Sequence, residues 1–168
     1  MATIGKKGIG VSKTLLSTFS PAPLSFKEAA SQTFKSGGLL QADNGYLSAI
    51  AASDPPAGLI FGIAAEPGHD AAANGDKDVL FYLAHPDIVF VGNITNAGSD
   101  VALAQTHTGM AYGLYYDSAN KYYYVDVGDE ANKRVRILDV APGSKVGDTN
   151  ARVQFVFCSS SDRVYSTS

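Results

Sequence analysis

Between residues 33 and 94 the chain reads TFKSGGLLQADNGYLSAIAAS and then, after a proline pair, LIFGIAAEPGHDAAANGDKDVLFYLAHPDIVFVGNI. Apolar runs of strand length are cut by Gly, Asn, Asp and Pro, and no helix-length period joins them. Only a small, tightly turning β domain suits that spacing. Asp43-Asn44-Gly45 between Leu39-Leu40-Gln41-Ala42 and Tyr46-Leu47-Ser48-Ala49-Ile50 is its strongest local signal. Asn-Gly supplies the positive φ angles that a two-residue hairpin turn requires. Gly62, inside the apolar run 59–64, predicts a bulge or a close backbone approach.

The remaining chain continues the theme. Runs 79–84 and 88–94 are separated by His85-Pro86-Asp87. Residues 111–116 and 121–127 flank Asp117-Ser118-Ala119-Asn120, which reads as a hairpin loop. Tyr112, Leu114 and Tyr116 share one face by period-two alternation, and Tyr122, Tyr123 and Tyr124 continue the aromatic run on the partner strand. Residues 134–140 and 151–158 are two further strands, turned by Gly147-Asp148-Thr149-Asn150. Residues 1–30 hold Gly5, Gly8, Gly10, Pro21 and Pro23 and read as an extended arm. Ser25 with Glu28 three residues later matches a capping box, which predicts a short helical turn over 25–31. The expected organisation is an arm over 1–30, a first β lobe over 31–95, a second β segment over 96–158 and a tail over 159–168. The second segment belongs either to the same barrel or to a second lobe. The fold class is all-β, one or two small barrel-like lobes.

Composition narrows the function classes. With 45% hydrophobic and 17% charged residues, the 168-residue chain is globular, and its formal net charge is -3. Lys6, Lys7 and Lys13 are the only basic cluster, too sparse to track a polyphosphate, so no nucleic-acid partner is expected. The apolar runs fall far short of a membrane span, and no secretion leader is visible, so synthesis in a cytoplasm is expected. A single cysteine, Cys158, permits no internal disulfide and reads as a packed small hydrophobe.

Candidate chemistry is thin. Gly5, Gly10, Lys13 and Thr14 approach a phosphate-loop spacing, but Val11 and Ser12 intervene and Pro21 ends any following helix. Glu66, His69, Asp70, Asn74, Asp76 and Asp78 could approach a cation. However, Ala72 occupies a ligand position of the calcium loop and Phe81 stands where its bidentate Glu belongs. His69, His85 and His107 fall in loops or at strand ends, away from any nucleophile elbow. The expectation is no enzyme, no cofactor, no metal and no catalytic residue. The Tyr-rich hairpin offers apolar area with polar tips, so Tyr115 and Tyr123 are candidates for a partner or sugar surface.

Thr33-Phe34-Lys35-Ser36-Gly37-Gly38-Leu39-Leu40, then Asn44-Gly45-Tyr46-Leu47, then Ile60-Phe61-Gly62-Ile63-Ala64 resembles the core of tailed-bacteriophage capsid cement, or decoration, proteins. Residues 83–93 and, more loosely, 119–123 and 147–153 extend the likeness over about residues 30–158. The resemblance implies a β-tulip or related small barrel. It also implies a homotrimer on the capsid exterior that clamps neighbouring major capsid proteins and has no catalytic residues. The arm would then reach over capsid subunits, with Ile4, Ile9, Val11, Leu15, Leu16 and Phe19 as contact candidates. A carbohydrate- or receptor-binding β module on a virion surface is the alternative.

Overall fold

The computed structural model describes residues 1–15 and 21–158. Eleven strands run in chain order: β1 (Gly10–Thr14), β2 (Leu24–Lys27), β3 (Leu39–Asp43), β4 (Tyr46–Ala49), β5 (Gly62–Ala64), β6 (Asp78–Leu83), β7 (Ile88–Thr95), β8 (Ala111–Asp117), β9 (Tyr122–Asp126), β10 (Val135–Val140) and β11 (Arg152–Phe157). Two single 3-10 turns, Ala57–Leu59 and Gln105–His107, are the only helical elements among the described residues. The fold is all-β, as the punctuation of the sequence requires.

The strands form two five-membered rings. One is a closed barrel in the order β7-β11-β10-β8-β9, shut by parallel pairing of Ile94 with Val125 and Thr95 with Asp126. The other runs β2-β6-β5-β3-β4 and is shut by a single parallel bridge, Glu28 to Leu47. Taken in chain order, the connectivity is the same in both. The first strand pairs with the fifth, the fifth with the fourth, the fourth with the second and the second with the third, which returns parallel to the first.

The registers coincide as well. Pairs Leu24–Phe81, Ala64–Phe81, Leu40–Gly62, Ala42–Leu47 and Glu28–Leu47 in one ring match Phe90–Phe155, Ile137–Phe155, Tyr112–Val135, Leu114–Val125 and Ile94–Val125 in the other. A single residue-to-residue correspondence satisfies every ladder. The chain is therefore an internal duplication that the amino-acid sequence conceals.

Lobe boundaries shift accordingly. β2, placed by the sequence in the arm, is the first strand of lobe one, and β7, placed in the first lobe, is the first strand of lobe two. Nor does a helical turn form over 25–31, because Pro21 and Pro23 deliver the chain extended into β2. Glu28 makes no capping box there; its side chain is fully buried.

Residues 1–15 run mainly along lobe two, and Gly8 and Ile9 also touch Ser36 and Gly37 of lobe one. β1 pairs antiparallel with the first half of β7, and Thr3 bridges Thr149 in parallel. Leu16 and Phe19 lie outside the described residues.

Period-two alternation explains the cores. In lobe one Leu40, Leu47, Ala64, Val79 and Phe81 face the ring interior with Phe34 beside them. Leu39 and Ile63 point the other way and join Phe90, Ile94, Leu114, Val125, Phe155 and Phe157 in one cluster. Leu39 and Leu40 are thus both fully buried, one between the lobes and one inside its ring. The Asn44-Gly45 hairpin forms with both residues at positive φ (49° and 83°). Gly62 is a close approach: a Cβ there would sit 2.6 Å from the Tyr82 carbonyl oxygen and 2.5 Å from the Phe81 ring.

Candidate functional site

The proposed contact residues of the first segment do not share one surface. Ile9 is buried in the core, and Val11 packs against the same cluster. Ile4 is half-buried, with its N–H donating to the Thr149 carbonyl at 2.9 Å. Leu15 is the exposed member among those described, at 48%. Its neighbour residues are committed to the protein's own fold because β1 supplies an edge that β7 would otherwise leave bare.

The tyrosine hairpin divides in the same way. Tyr123 is fully buried, and its hydroxyl donates to the Ile50 carbonyl at 2.6 Å. Burial pushes its phenol well above the ordinary tyrosine range, so it stays a neutral donor. Tyr115 is half-buried over the Gly98 turn, where a Cβ would come within 2.6 Å of its hydroxyl oxygen. Neither expected anchor is therefore a free ring.

Their neighbours line a concave site. A cleft of about 280 Å³ opens between residues 31–34 and 49–51 of lobe one and Tyr116, Lys121 and Tyr123 of lobe two. Tyr116 packs on Tyr123 with ring centroids 4.9 Å apart. Its position is fixed by its N–H, which donates to Ser53 Oγ at 2.9 Å. Gln32 is locked in the wall, accepting from Ala49 N–H and donating to the Ala30 carbonyl. Lys121, at φ 57° in the hairpin loop, is exposed at the rim. A flat polar ring with an acidic or hydroxyl substituent is the ligand shape that an aromatic wall beside an amine accommodates.

Two carboxylate assemblies lie elsewhere. Glu28 Oε1 accepts the His69 N–H at 2.8 Å, and Glu28 Oε2 is 2.5 Å from His69 Nδ1. Glu66 Oε1 accepts from Leu80 N–H. The loop between β5 and β6 is thereby pinned to lobe one where its ring closes. Asn74 adds a bond from the Ala30 N–H at 2.7 Å. Asp54 and Asp129 crowd over Gly113, and Asp54 Oδ1 accepts the Leu114 N–H at 2.8 Å. Burial, then Asp129 and Asp126 nearby, push the Asp54 carboxyl up to about 6. For Asp129 burial acts upward too, but the backbone and side-chain donors of Asn132 outweigh it and hold that carboxyl low.

His85 and His107 serve their own loops, accepting at Nδ1 from Asp87 N–H and Ala104 N–H. Gly10–Thr14, the segment that approached a phosphate-loop spacing, is a strand. Among the described residues no group of three or more His, Cys, Asp or Glu side chains is placed to hold a metal ion. No helix among them is long and apolar enough to cross a membrane.

The sequence missed Glu28, Tyr116 and Lys121. Glu28 was hidden by its apparent capping role, and the other two by the choice of hairpin face. Comparison with protein-family models, with curated proteins and with solved structures gives no match.

Proposed function

We propose that the protein is a structural virion protein that binds the outer surface of a phage capsid and bridges neighbouring major capsid protein subunits. The observation that carries this reading is the duplication. Two rings of equivalent strand order, fused through one core cluster, present two related faces. A body of that kind can engage two neighbouring copies of one repeating subunit and resist their separation without any chemistry. Binding at both lobes raises overall avidity far beyond that of either, because the second contact forms at high effective concentration. The ordered series Phe34, Gly37-Gly38, Asn44-Gly45 and Gly62-Ile63-Ala64 supports the same reading, since it builds the β3–β5 framework of lobe one.

The test is a sedimentation assay with shells assembled from the major capsid protein of the same genome. Saturable binding and a higher temperature of shell disruption are expected. Shells that neither retain the protein nor gain stability exclude the reading. Removing residues 1–23 is not a clean probe, because it would strip Ile9 and β1 from lobe two. Leu15→Glu changes an exposed side chain instead.

The interlobe cleft favours a second reading, a virion-surface module that binds a sugar. Its probes are Tyr116→Ala and Lys121→Ala on a glycan array. Retained glycan signals in both variants would remove the cleft from consideration.

A further inference from the structure

The two lobes place a cation at the same point of their rings, and only one of them supplies its counter-charge. Lys27 and Asp78 face each other across β2 and β6, with Lys27 Nζ 2.8 Å from Asp78 Oδ1. The equivalent pair across β7 and β11 is Asn93 and Arg152. Here the cation stands where lobe one has its carboxylate, and the opposite strand offers an amide. That amide is already engaged. Asn93 Nδ2 donates to the Asn150 carbonyl at 2.7 Å and to the Gly5 carbonyl at 3.3 Å, and Asn93 Oδ1 accepts the Lys7 N–H at 2.9 Å.

Arg152 is left short of acceptors. A guanidinium carries several N–H donors and no acceptor. Nη2 donates to the Val91 carbonyl at 3.3 Å, while Nε is buried without a partner. Among the described residues no carboxylate forms an ion pair with it. Burial holds this guanidinium below the ordinary arginine range, and no neighbouring acid offsets it. Asp139, on the same outer face opposite Gln154, turns its Oδ1 to the Val140 N–H instead. The approach from β1 is open, because Gly10 has no side chain; a Cβ there would sit 4.0 Å from Arg152 Nη2.

We propose that Arg152 is the receptor of an anion site on the outer face of lobe two, which takes one carboxylate group, either of a free carboxylate or of an Asp or Glu side chain on a partner. The ligand class follows from lobe one, where an aspartate completes the equivalent pair. A planar carboxylate matches the guanidinium fork through two parallel charge-assisted bonds. By turning outward from Val91, the side chain exchanges one long bond to a neutral carbonyl and one buried unpaired N–H for those two. Lys7, exposed and with its backbone held on Asn93, adds positive charge beside the site. The site stands whether or not the protein binds a shell.

The Arg152 Nε–H resonance of the isotope-labelled whole chain reports the site directly. Sodium acetate is the probe, and sodium chloride at equal ionic strength is the reference. Acetate is expected to shift that resonance and the Val91 and Gly10 amides to saturation, with a dissociation constant on the order of 10 mM. Chloride is expected to leave them in place. Arg152→Gln removes the fork, so the two amides should no longer respond. Gln154→Glu supplies a carboxylate from the same outer face, since Gln154 lies opposite Val91. It should occupy Arg152, abolish the acetate response and raise the melting temperature, and it stands in if Arg152→Gln fails to fold. Tetraglutamate binding more tightly than acetate identifies a protein side chain as the source, and equal binding per carboxylate a free carboxylate; either upholds the site. An absent or unsaturable shift, an equal response to chloride, or an undiminished response in either folded variant overturns the proposal.

Discussion

The two lobes share a ring and differ in what closes it. In lobe two the closing residues are Ile94 and Val125, both fully buried, and aromatic side chains fill the interior. In lobe one the equivalent positions are Glu28 and Leu47, and the carboxylate is buried against His69. One topology therefore tolerates an apolar closure, which is stable by packing, and a polar closure, which is stable only while its partner stays in place. A buried carboxyl group that loses its hydrogen-bond partner costs more than an apolar contact trimmed there. Lobe one should accordingly be the first part of the molecule to open.

Four comparisons would break or sharpen that contrast. The largest effect is expected at Phe155, fully buried, stacked on Phe90 and edge-on to Phe157. Phe155→Ala should cost about 3–5 kcal/mol in urea unfolding. It should destabilise both lobes, since the cluster includes Leu39 and Ile63. An unfolding trace in which lobe one is unaffected would show that the lobes are energetically separate.

Next, Glu28→Gln keeps the shape but puts an amide nitrogen in place of one of the two oxygens that meet His69 N–H and Nδ1. A cost of about 1–3 kcal/mol is expected. Hydrogen exchange should accelerate at Ala29 and at lobe-one amides while Ile94 and Val125 stay protected. Equal acceleration in both lobes would contradict the ranking of the two closures.

A smaller effect belongs to Asp54. Its folded pKa is raised to about 6, so folding favours the protonated form. That contribution is complete below the unfolded value of about 3.9 and is lost as pH rises through about 6. Asp54→Asn should therefore be more stable than the parent at pH 8 by about 1 kcal/mol, a figure discounted for the partial exposure of the carboxyl. The difference should vanish near pH 4. Thermal melts at both pH values check it, and a gain at pH 4 instead would reverse the sign. Asp129, held low, works oppositely and loses its contribution as pH falls.

The smallest effect is expected at Leu15. Leu15→Ser should change stability by no more than about 0.5 kcal/mol. Ile9→Ala, six residues earlier, should cost about 2–4 kcal/mol. Similar values in paired melts would mean that the first segment packs differently from its burial.

Local chemistry was legible in the sequence, and long-range pairing was not. Asn44-Gly45 and Gly62 declared themselves because positive φ and lack of space are properties of a few neighbouring residues. The consecutive tyrosines 122–124 gave a strand but not its orientation, because aromatic residues stand on both faces. Tyr123 turned inward to Ile50, while Lys6 sits over Tyr124 at 5.5 Å. The duplication was invisible because equivalent positions carry Glu28 and Ile94, Gly62 and Val135, or Phe26 and Gly92. Ring geometry constrains volume and direction at such places and leaves residue identity free. The cleft escaped notice for a related reason, since its walls come from segments far apart in the chain.

The path of residues 1–15 carries a consequence for synthesis. β1 leaves the ribosome before any of lobe one, yet its partner β7 follows the whole of that lobe, and Ile4 waits for Thr149. The strands of lobe one are complete by Leu83, so that ring can form while lobe two is still being made. During that interval β1 lacks its partner strand, and only Gly8 and Ile9 have neighbours already made, at Ser36 and Gly37 of lobe one. A strand made ahead of lobe one is thus placed only after it, and the nascent chain must carry β1 without its partner until β7 has been made.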